Sequence, residues 1–298
     1  MKRADFLQRL REGTLLCDGA MGTQLLARGL QPGECSDRWC IVHAVRVQAI
    51  HRDYFNAGSD MVTTNTFGAT RSMLGRHGLE AKVSEINIAG AQAARAGAGP
   101  DAIVLGDVGP FGDFLEPVGT VTEPELEAIF SEQIAALHEG GADGILIETM
   151  ADPGEATVAV RVARRVADWP VLTTFAFSKI GDGSFRTMTG ATVGQIAQTM
   201  RDAGVDALGA NCGTSLSLPE YVELARQLVA AAGPVAVILQ PNAGSPGAGD
   251  RRSATPEEMG QVVPMLLDAG VRILGGCCGT TPLHISAIAR SITARKAQ

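Results

Sequence analysis

The stretch Gly141-Ala142-Asp143-Gly144-Ile145-Leu146-Ile147-Glu148-Thr149-Met150 begins with a glycine that stops a helix, continues as an apolar run, and places a carboxylate near its end. A continuous apolar run, as opposed to an alternating one, is typical of a strand whose two faces are buried in a parallel sheet. Similar joints precede other apolar runs, at Gly58-Ser59-Asp60, Gly204-Val205-Asp206, Gly233-Pro234 and Gly270-Val271. The chain therefore repeats one helix-to-strand unit, and the number of these units decides the fold.

Eight apolar runs of this kind cover residues 15–20, 60–66, 102–109, 144–150, 171–177, 207–212, 235–241 and 273–277. Helical patterns follow them near residues 41–57, 79–97, 123–140, 153–168, 192–203, 219–232, 256–269 and 282–295. Thr-Pro pairs stand where several of these helices should begin, and glycines stand where they should end. Eight βα units in 298 residues predict an α/β fold, a single (β/α)8 TIM barrel, with residues 1–298 as one domain. The looser stretches 179–189 and 244–253 are predicted to be long βα loops.

The composition excludes several classes of function. With a net charge of −7, the chain lacks the basic footprint of a nucleic-acid surface. No apolar run approaches the roughly 20 residues of a membrane span, and the N-terminus has no signal-peptide core. We therefore expect a cytoplasmic protein with neither a nucleic-acid nor a membrane partner. In that reducing compartment the 6 cysteines are expected to be core residues, ligands or nucleophiles rather than disulfides.

Three of these cysteines are predicted to meet at one end of the barrel. Cys212 ends the sixth apolar run, while Cys277 and Cys278 end the eighth, so all three reach the C-terminal rim, where active sites of this fold lie. Three thiolates would form a zinc site with an open fourth position, as in catalytic zinc centres. Such a site suits the activation of a substrate thiol for alkyl transfer. The alternatives are ordinary buried cysteines and a strained disulfide between Cys277 and Cys278.

Five motifs resemble those of the homocysteine S-methyltransferase family. They are Asp18-Gly19-Ala20-Met21-Gly22-Thr23, Thr63-Thr64-Asn65-Thr66-Phe67, Ile147-Glu148-Thr149, Gly209-Ala210-Asn211-Cys212 and Gly275-Gly276-Cys277-Cys278-Gly279. The similarity extends over nearly the whole chain. The resemblance implies a (β/α)8 barrel that binds Zn²⁺ through Cys212, Cys277 and Cys278. It also implies zinc-dependent methyl transfer to the thiol of L-homocysteine, which produces methionine.

An amino-acid substrate needs partners for its ammonium and its carboxylate, and the strand ends offer both. Asp18 ends the first run and Glu148 ends the fourth, so their carboxylates are expected to bind the ammonium. The amides of Gly19 and Ala20 and the hydroxyl of Thr64 are expected to bind the carboxylate. The alternative for either acid is a salt bridge on the barrel rim.

Three further side chains at strand ends are candidates for supporting the metal site. Asn242 could coordinate zinc through its side-chain oxygen when substrate is absent, although an asparagine in an ordinary turn is the alternative. Asn65 and Asp107 are candidate hydrogen-bond partners behind the ligands and the substrate, and purely structural roles for them remain open.

The residues leave more than one possibility for the methyl donor. The chain most resembles the branch represented by the homocysteine-binding module of cobalamin-dependent methionine synthase. This resemblance implies methylcobalamin as donor, with the cobalamin on a separate corrinoid protein or beside a methyltetrahydrofolate-binding module. One alternative is a stand-alone enzyme that uses S-methylmethionine or betaine, although 2 Tyr and 2 Trp supply an aromatic cage for betaine poorly. Another is a binding module that is inactive without partner domains.

Overall fold

Eight parallel strands form the wall of a nearly closed barrel in the computed structural model, which describes residues 1–213, 216–244 and 253–296. In chain order the barrel strands are Leu15–Leu16, Met61–Thr63, Ile103–Val108, Gly144–Met150, Val171–Phe175, Ala207–Asn211, Ala236–Gln240 and Ile273–Leu274. Each strand from the third to the eighth pairs in parallel with its predecessor, and the first pairs with the eighth. The predicted (β/α)8 barrel is therefore confirmed.

Helices connect these strands and cover the outside of the barrel. They are Arg3–Glu12, Met21–Ala27, Trp39–Val42, Ala44–Asn56, Arg71–Gly75, Val83–Ala98, Glu123–Glu139, Pro153–Val166, Val193–Ala203, Leu218–Ala232, Pro256–Ala269 and Pro282–Lys296, with a 3₁₀ turn at Glu80–Lys82. The eight predicted helices are present. Capping boxes fix the starts of four of them, at Thr122, Thr192, Ser217 and Thr255. No helix within the described part of the chain is long and apolar enough to span a membrane.

The sequence did not reveal several short elements in the βα loops. The helices Met21–Ala27, Trp39–Val42 and Arg71–Gly75 are too short to show a clear period. The predicted loop 179–189 contains a small antiparallel ladder between Ser178–Lys179 and Phe185–Arg186. Most of the predicted loop 244–253 lies outside the described residues.

The helix Arg3–Glu12 closes the N-terminal end of the barrel. Its side chains Phe6 and Leu10 are buried in a cluster with the inward-facing residues of all eight strands, among them Leu105 and Ile238. An apolar plug at this end leaves only the C-terminal end of the barrel available for polar chemistry, as in other barrels of this type.

The recurring Gly-x-Asp joints have a common structural role. The Asp60, Asp143 and Asp206 carboxylates accept the backbone N–H of Leu16, Val104 and Val171, respectively, in the preceding strand, at 2.8–2.9 Å. The amide of each aspartate also donates to the carbonyl of that same residue, at 2.7 or 2.8 Å. Each aspartate therefore brackets one residue of the neighbouring strand and fixes the register between two strands.

Between the first and second strands, side-chain hydrogen bonds replace a regular ladder. Besides the Asp60 bracket, the Asp18 carboxylate accepts the Thr63 amide at 2.9 Å and the Thr63 hydroxyl at 3.1 Å. Asp18 is only 1% exposed. This residue therefore helps to close the barrel, a role that its position in the sequence did not suggest.

Candidate metal and substrate site

Cys212 lies immediately after the sixth barrel strand, not inside it. The strand ends at Asn211, and Cys212 has a φ of 56°, so the chain turns away from the ladder at the cysteine. The hydroxyl of Tyr221 donates to the carbonyl of Cys212 at 2.7 Å, and the side-chain amide of Asn242 donates to the same carbonyl. These contacts hold the strained turn at Cys212.

Cys277 and Cys278 also lie beyond their strand, which ends at Leu274. Adjacent residues in a strand point to opposite faces, so both cysteines can bind one ion only if the backbone turns before them. The loop turns because Thr280 donates through its hydroxyl to the Cys277 carbonyl at 2.7 Å, while the carbonyl of Cys278 accepts the Ala243 amide at 2.9 Å. Both sulfur atoms therefore face the same side.

The three sulfur atoms lie within 4.8 Å of one another. The separation between the sulfur atoms of Cys212 and Cys278 is 3.7 Å, and between those of Cys277 and Cys278 it is 4.0 Å. Tetrahedral zinc with Zn–S bonds of about 2.3 Å separates its sulfur ligands by about 3.8 Å. The cluster thus fits a zinc ion in spacing and in donor type, and each cysteine is partly exposed, which leaves one side of the cluster open.

Hydrogen bonds within the cluster divide the three thiols into donors and an acceptor. The pKa of Cys278 falls to about 3 because the thiols of Cys212 and Cys277 both bond to its sulfur. The pKa of Cys277 rises because hydrogen bonds to Cys212 and Cys278 hold its proton. The cluster therefore stabilises a thiolate, the form in which cysteine binds metals.

Three carboxyl groups line the barrel beside the cysteines. Burial raises the pKa of Glu148 to about 8, with further contributions from the charges of Asp18 and Cys278. Burial also raises the pKa of Asp18 to about 7. The carboxyl of Asp107 lies close to that of Glu148, and its pKa is raised by burial and by the charges of the neighbouring acids. Within the described residues, none of the three forms a salt bridge to a basic side chain.

The hydrogen-bond donors expected to bind a substrate carboxylate differ in whether they already have a partner within the protein. The Thr64 hydroxyl accepts the amide of Asp107 at 2.9 Å and lies 2.6 Å from the Thr66 hydroxyl, whose own proton goes to the Asp107 carbonyl. In this arrangement Thr64 donates to Thr66, so its proton is already hydrogen-bonded within the protein. The amide of Ala20 donates to the Thr280 hydroxyl at 3.0 Å, whereas the amide of Gly19 has no partner among the described residues.

Asn242 and Asn65, which the sequence placed near the metal, occupy different environments. The side-chain nitrogen of Asn242 contacts the carbonyls of Cys212 and Gly213, and its buried oxygen has no partner among the described residues. The side chain of Asn65 instead donates to the Ser36 carbonyl at 2.8 Å and lies near the sulfur of Cys40. Asn65 therefore fixes the first βα loop.

Sequence reasoning missed several residues that build the site. Asn211 connects the end of the fourth strand to the cysteine cluster. Tyr221 supports Cys212, and Thr280 joins the cysteine loop to Ala20. The hydroxyl of Tyr54 donates to the Ala20 carbonyl at 3.0 Å. Asn211 and Thr280 could have been recognised because they lie beside the cysteine motifs in the sequence. Nothing in the sequence marks the two tyrosines, which lie on helices away from these motifs.

A comparison with protein families gives a match over residues 15–292 to the family described as homocysteine S-methyltransferase. Methionine synthase from Mycobacterium tuberculosis is 33% identical over 310 residues, which cover 97% of this chain and 25% of that protein. The chain thus spans about a quarter of the length of the curated relatives that it matches.

Solved structures give the same fold. The homocysteine methyltransferase MmuM from Escherichia coli in its oxidized form superposes with a TM-score of 0.77 at 24% identity, covering 95% of this chain and 96% of MmuM. Its metallated form also has a TM-score of 0.77, at 23% identity, with 93% of this chain and 96% of MmuM covered.

Proposed function

Because the chain belongs to the homocysteine S-methyltransferase family, we propose that this methyltransferase transfers a methyl group to the thiol of L-homocysteine and forms methionine. We further propose that it uses a zinc ion held by Cys212, Cys277 and Cys278. One observation carries the proposal: three sulfur atoms at the spacing of tetrahedral zinc stand beside three carboxyl groups that have no basic partner among the described residues. This combination suits a ligand that carries both a thiol and an ammonium.

The cysteine cluster would provide three of the four zinc ligands. A zinc ion bound there would lower the pKa of a coordinated substrate thiol, so that its sulfur is deprotonated near pH 7 and still nucleophilic. The hydrogen bonds to Cys212 from Tyr221 and Asn242 keep its sulfur in place before and after substrate enters. Asn242 itself, whose buried oxygen has no partner among the described residues, is the residue we assign as a fourth ligand when substrate is absent.

The acids and the first βα turn would orient the amino-acid end of the substrate. Glu148, which is partly exposed, is assigned to the ammonium, with Asp18 and Asp107 adding negative charge behind it. The amide of Gly19, which has no partner in the described part of the chain, is assigned to the carboxylate, together with that of Ala20 if its bond to Thr280 is exchanged. Thr64 is assigned only to shaping the wall, because its proton is used within the protein.

For the donor we favour methylcobalamin, carried on a separate corrinoid protein or domain with a methyltetrahydrofolate-binding module. Similarity to methionine synthase over about a quarter of that protein supports this choice. A betaine donor is disfavoured because the two Tyr and two Trp residues, Tyr54, Tyr221, Trp39 and Trp169, are at most 2% exposed and cannot cage a quaternary ammonium. All 6 cysteines are free, which supports a reducing, cytoplasmic location.

The proposal is tested by measuring zinc content and methionine formation on the purified chain. Homocysteine is supplied with methylcobalamin, with or without a corrinoid protein, and in parallel with S-methylmethionine or betaine. We expect about one zinc per chain and turnover with the corrinoid donor. Cys277→Ala should lose both zinc and turnover, whereas Cys35→Ala, a cysteine outside the cluster, should keep them.

Turnover with S-methylmethionine alone would show that this compound, and not methylcobalamin, is the methyl donor. Homocysteine would still be the methyl acceptor. Zinc-edge spectra with and without homocysteine provide a donor-independent check, because a fourth sulfur should appear at the metal. The proposed function would be wrong if the zinc-loaded chain neither acquires that sulfur nor forms methionine with any donor.

A further inference from the structure

The fourth barrel strand contains a bulge at the position of Glu148 and Thr149. Ile147 pairs with Thr173 and Met150 pairs with Phe175, so three steps along the fourth strand correspond to two along the fifth. The Thr149 amide bonds to side chains and not to the ladder, and bulges beside active sites commonly change the direction of a neighbouring side chain, here that of Glu148. Something other than the ladder must therefore hold this segment.

Asn211 supplies that support from the end of the sixth strand. Its side-chain oxygen accepts the amide of Thr149 at 3.0 Å, and its side-chain nitrogen donates to the Thr149 hydroxyl at 2.7 Å. The first of these bonds fixes the orientation of the carboxamide, because an N–H group can face only its oxygen. The side chain of Asn211 is 1% exposed and replaces the missing ladder contacts of the bulge.

The backbone on both sides of this contact is strained. Thr149 has a φ of 59° and Cys212 a φ of 56°, and they are the non-glycine residues with positive φ in the described part of the chain. A β-branched residue adopts this conformation rarely. One strained residue bonds twice to Asn211, and the other directly follows it in sequence.

The remaining N–H of Asn211 faces the site. Its nitrogen lies 3.5 Å from Oε2 of Glu148 and 3.8 Å from Sγ of Cys277. A single carboxamide thus contacts the bulge, the acid and a sulfur of the cysteine cluster.

We propose that Asn211 is a positioning residue that holds the bulge at Glu148–Thr149 and thereby sets the Glu148 carboxylate at the correct place relative to the three cysteines. The inference rests on the proposed function, in which Glu148 receives the ammonium of homocysteine. Asn211 acts through Glu148, so its loss should affect recognition of the ammonium and not binding of the metal.

Binding to the zinc-loaded chain, measured by calorimetry, tests this role without any methyl donor. The probes are L-homocysteine and 4-mercaptobutanoate, which has the same thiol and carboxylate but no ammonium. Asn211→Ala should keep its zinc, bind homocysteine about tenfold more weakly, and bind 4-mercaptobutanoate as the wild type does. In a Glu148→Gln background, Asn211→Ala should have little further effect on homocysteine.

Asn87 provides a matched control, because it is a buried asparagine that likewise makes two side-chain hydrogen bonds, in this case to the backbone carbonyls of Ala69 and Val83 at 2.9 and 2.8 Å. Asn87→Ala should lower stability and leave both affinities unchanged. If Asn211→Ala does not fold, Thr149→Val removes one of the two bonds and should weaken homocysteine binding selectively.

The possible results separate the two claims. Unchanged homocysteine affinity, an equal loss for both ligands, or loss of zinc in Asn211→Ala would overturn the positioning role. Failure of the wild-type, zinc-loaded chain to bind homocysteine would overturn the proposed function itself.

Discussion

At the scale of single residues, Glu148 differs from the other acids by being partly exposed beside the cysteine cluster. Its pKa is raised to about 8 because it is removed from water and lies near Asp18 and Cys278. An ammonium group bound there would relieve this unfavourable environment. Glu148→Gln should therefore weaken homocysteine binding by at least about tenfold, since one partner of a partly buried charge pair is lost. Zinc content should stay at the wild-type level, and both quantities can be measured on one preparation.

Glu155 is the matched control for this substitution. Its pKa is likewise raised by burial, to about 7, but its side chain is buried and its carboxylate accepts the amide of Phe111 at 2.7 Å. Glu155→Gln should leave homocysteine affinity unchanged. Equal losses in the two variants would show that the Glu148 effect is general destabilisation.

His51 makes the stability of the protein depend on pH. It is fully buried, neither ring nitrogen has a partner among the described residues, and burial lowers its pKa to about 3. An unfolded histidine has a pKa of about 6.5, so between these values only the unfolded chain binds the proton. Above pH 6.5 the imidazole is neutral in both states and does not change the free energy of unfolding. As the pH falls from 6.5 toward 3, the unfolded chain takes up the proton and the free energy of unfolding decreases.

His51→Leu should remove this part of the acid sensitivity. It should also raise the free energy of unfolding at pH 8 by about 1 kcal/mol, because two unpaired buried nitrogen atoms disappear. Denaturant titrations at pH 8 and pH 5 provide the measurement, with the exposed His77→Leu as control. If the difference between the two pH values is the same in His51→Leu as in the wild type, another group causes the acid sensitivity.

At the scale of secondary-structure elements, Asp60, Asp143 and Asp206 hold neighbouring strands together, each through two hydrogen bonds to one residue of the preceding strand. Asp206 is the most buried of the three, with a side chain that is 0% exposed and salt bridges to Arg3 at 2.6 Å and Arg164 at 2.8 Å. Asp206→Ala leaves two arginines without their carboxylate and the Val171 amide without its partner. We expect a loss of about 2–3 kcal/mol in the free energy of unfolding, measured by denaturant titration, because hydrogen bonds to a charged group are lost while both arginines keep access to water.

Asp60, which makes the same pair of backbone hydrogen bonds, is the control for Asp206. Its side chain is 39% exposed, and its contact with Arg9 is a loose one of 4.0 Å. Asp60→Ala should therefore cost about 1 kcal/mol, the value of one hydrogen bond. Equal losses at the two positions would mean that the two salt bridges of Asp206 contribute nothing beyond its hydrogen bonds to the backbone of Val171.

The elements also mark where sequence reasoning succeeded and where it failed. Apolar runs and helix caps located all eight units because each unit is a local pattern. The carboxyl-terminal end of every strand faces one rim, so Cys212 and Cys277 could be placed together without knowing any contact. The role of Asn211 depends on a one-residue register shift in another strand, and the role of Asp18 depends on a missing ladder. Neither feature has a periodic signal in the sequence.

At the scale of the whole molecule, the cysteine cluster connects parts of the chain that are far apart in sequence. Cys212 follows the sixth strand and Cys277 and Cys278 follow the eighth, and the segment after the seventh strand lies between them through Asn242 and Ala243. Hydrogen bonds between protein groups alone connect these segments. Zinc would therefore add stability to an arrangement that is formed in advance, without being needed for folding.

Removal of zinc should accordingly lower the melting temperature without abolishing the cooperative transition. A ligand at a thousand times its Kd stabilises the folded state by about 4 kcal/mol, provided that it does not bind the unfolded chain. Differential scanning calorimetry of the zinc-loaded and chelator-treated chain should thus show a shift of several degrees, with reversal on adding zinc. Cys277→Ala should show no shift and Cys35→Ala the full one, because only the first removes a ligand. A chelated protein without a cooperative transition would mean that the metal organises the barrel rim, since the hydrogen bonds of Tyr221, Asn242 and Thr280 would then be insufficient to hold it.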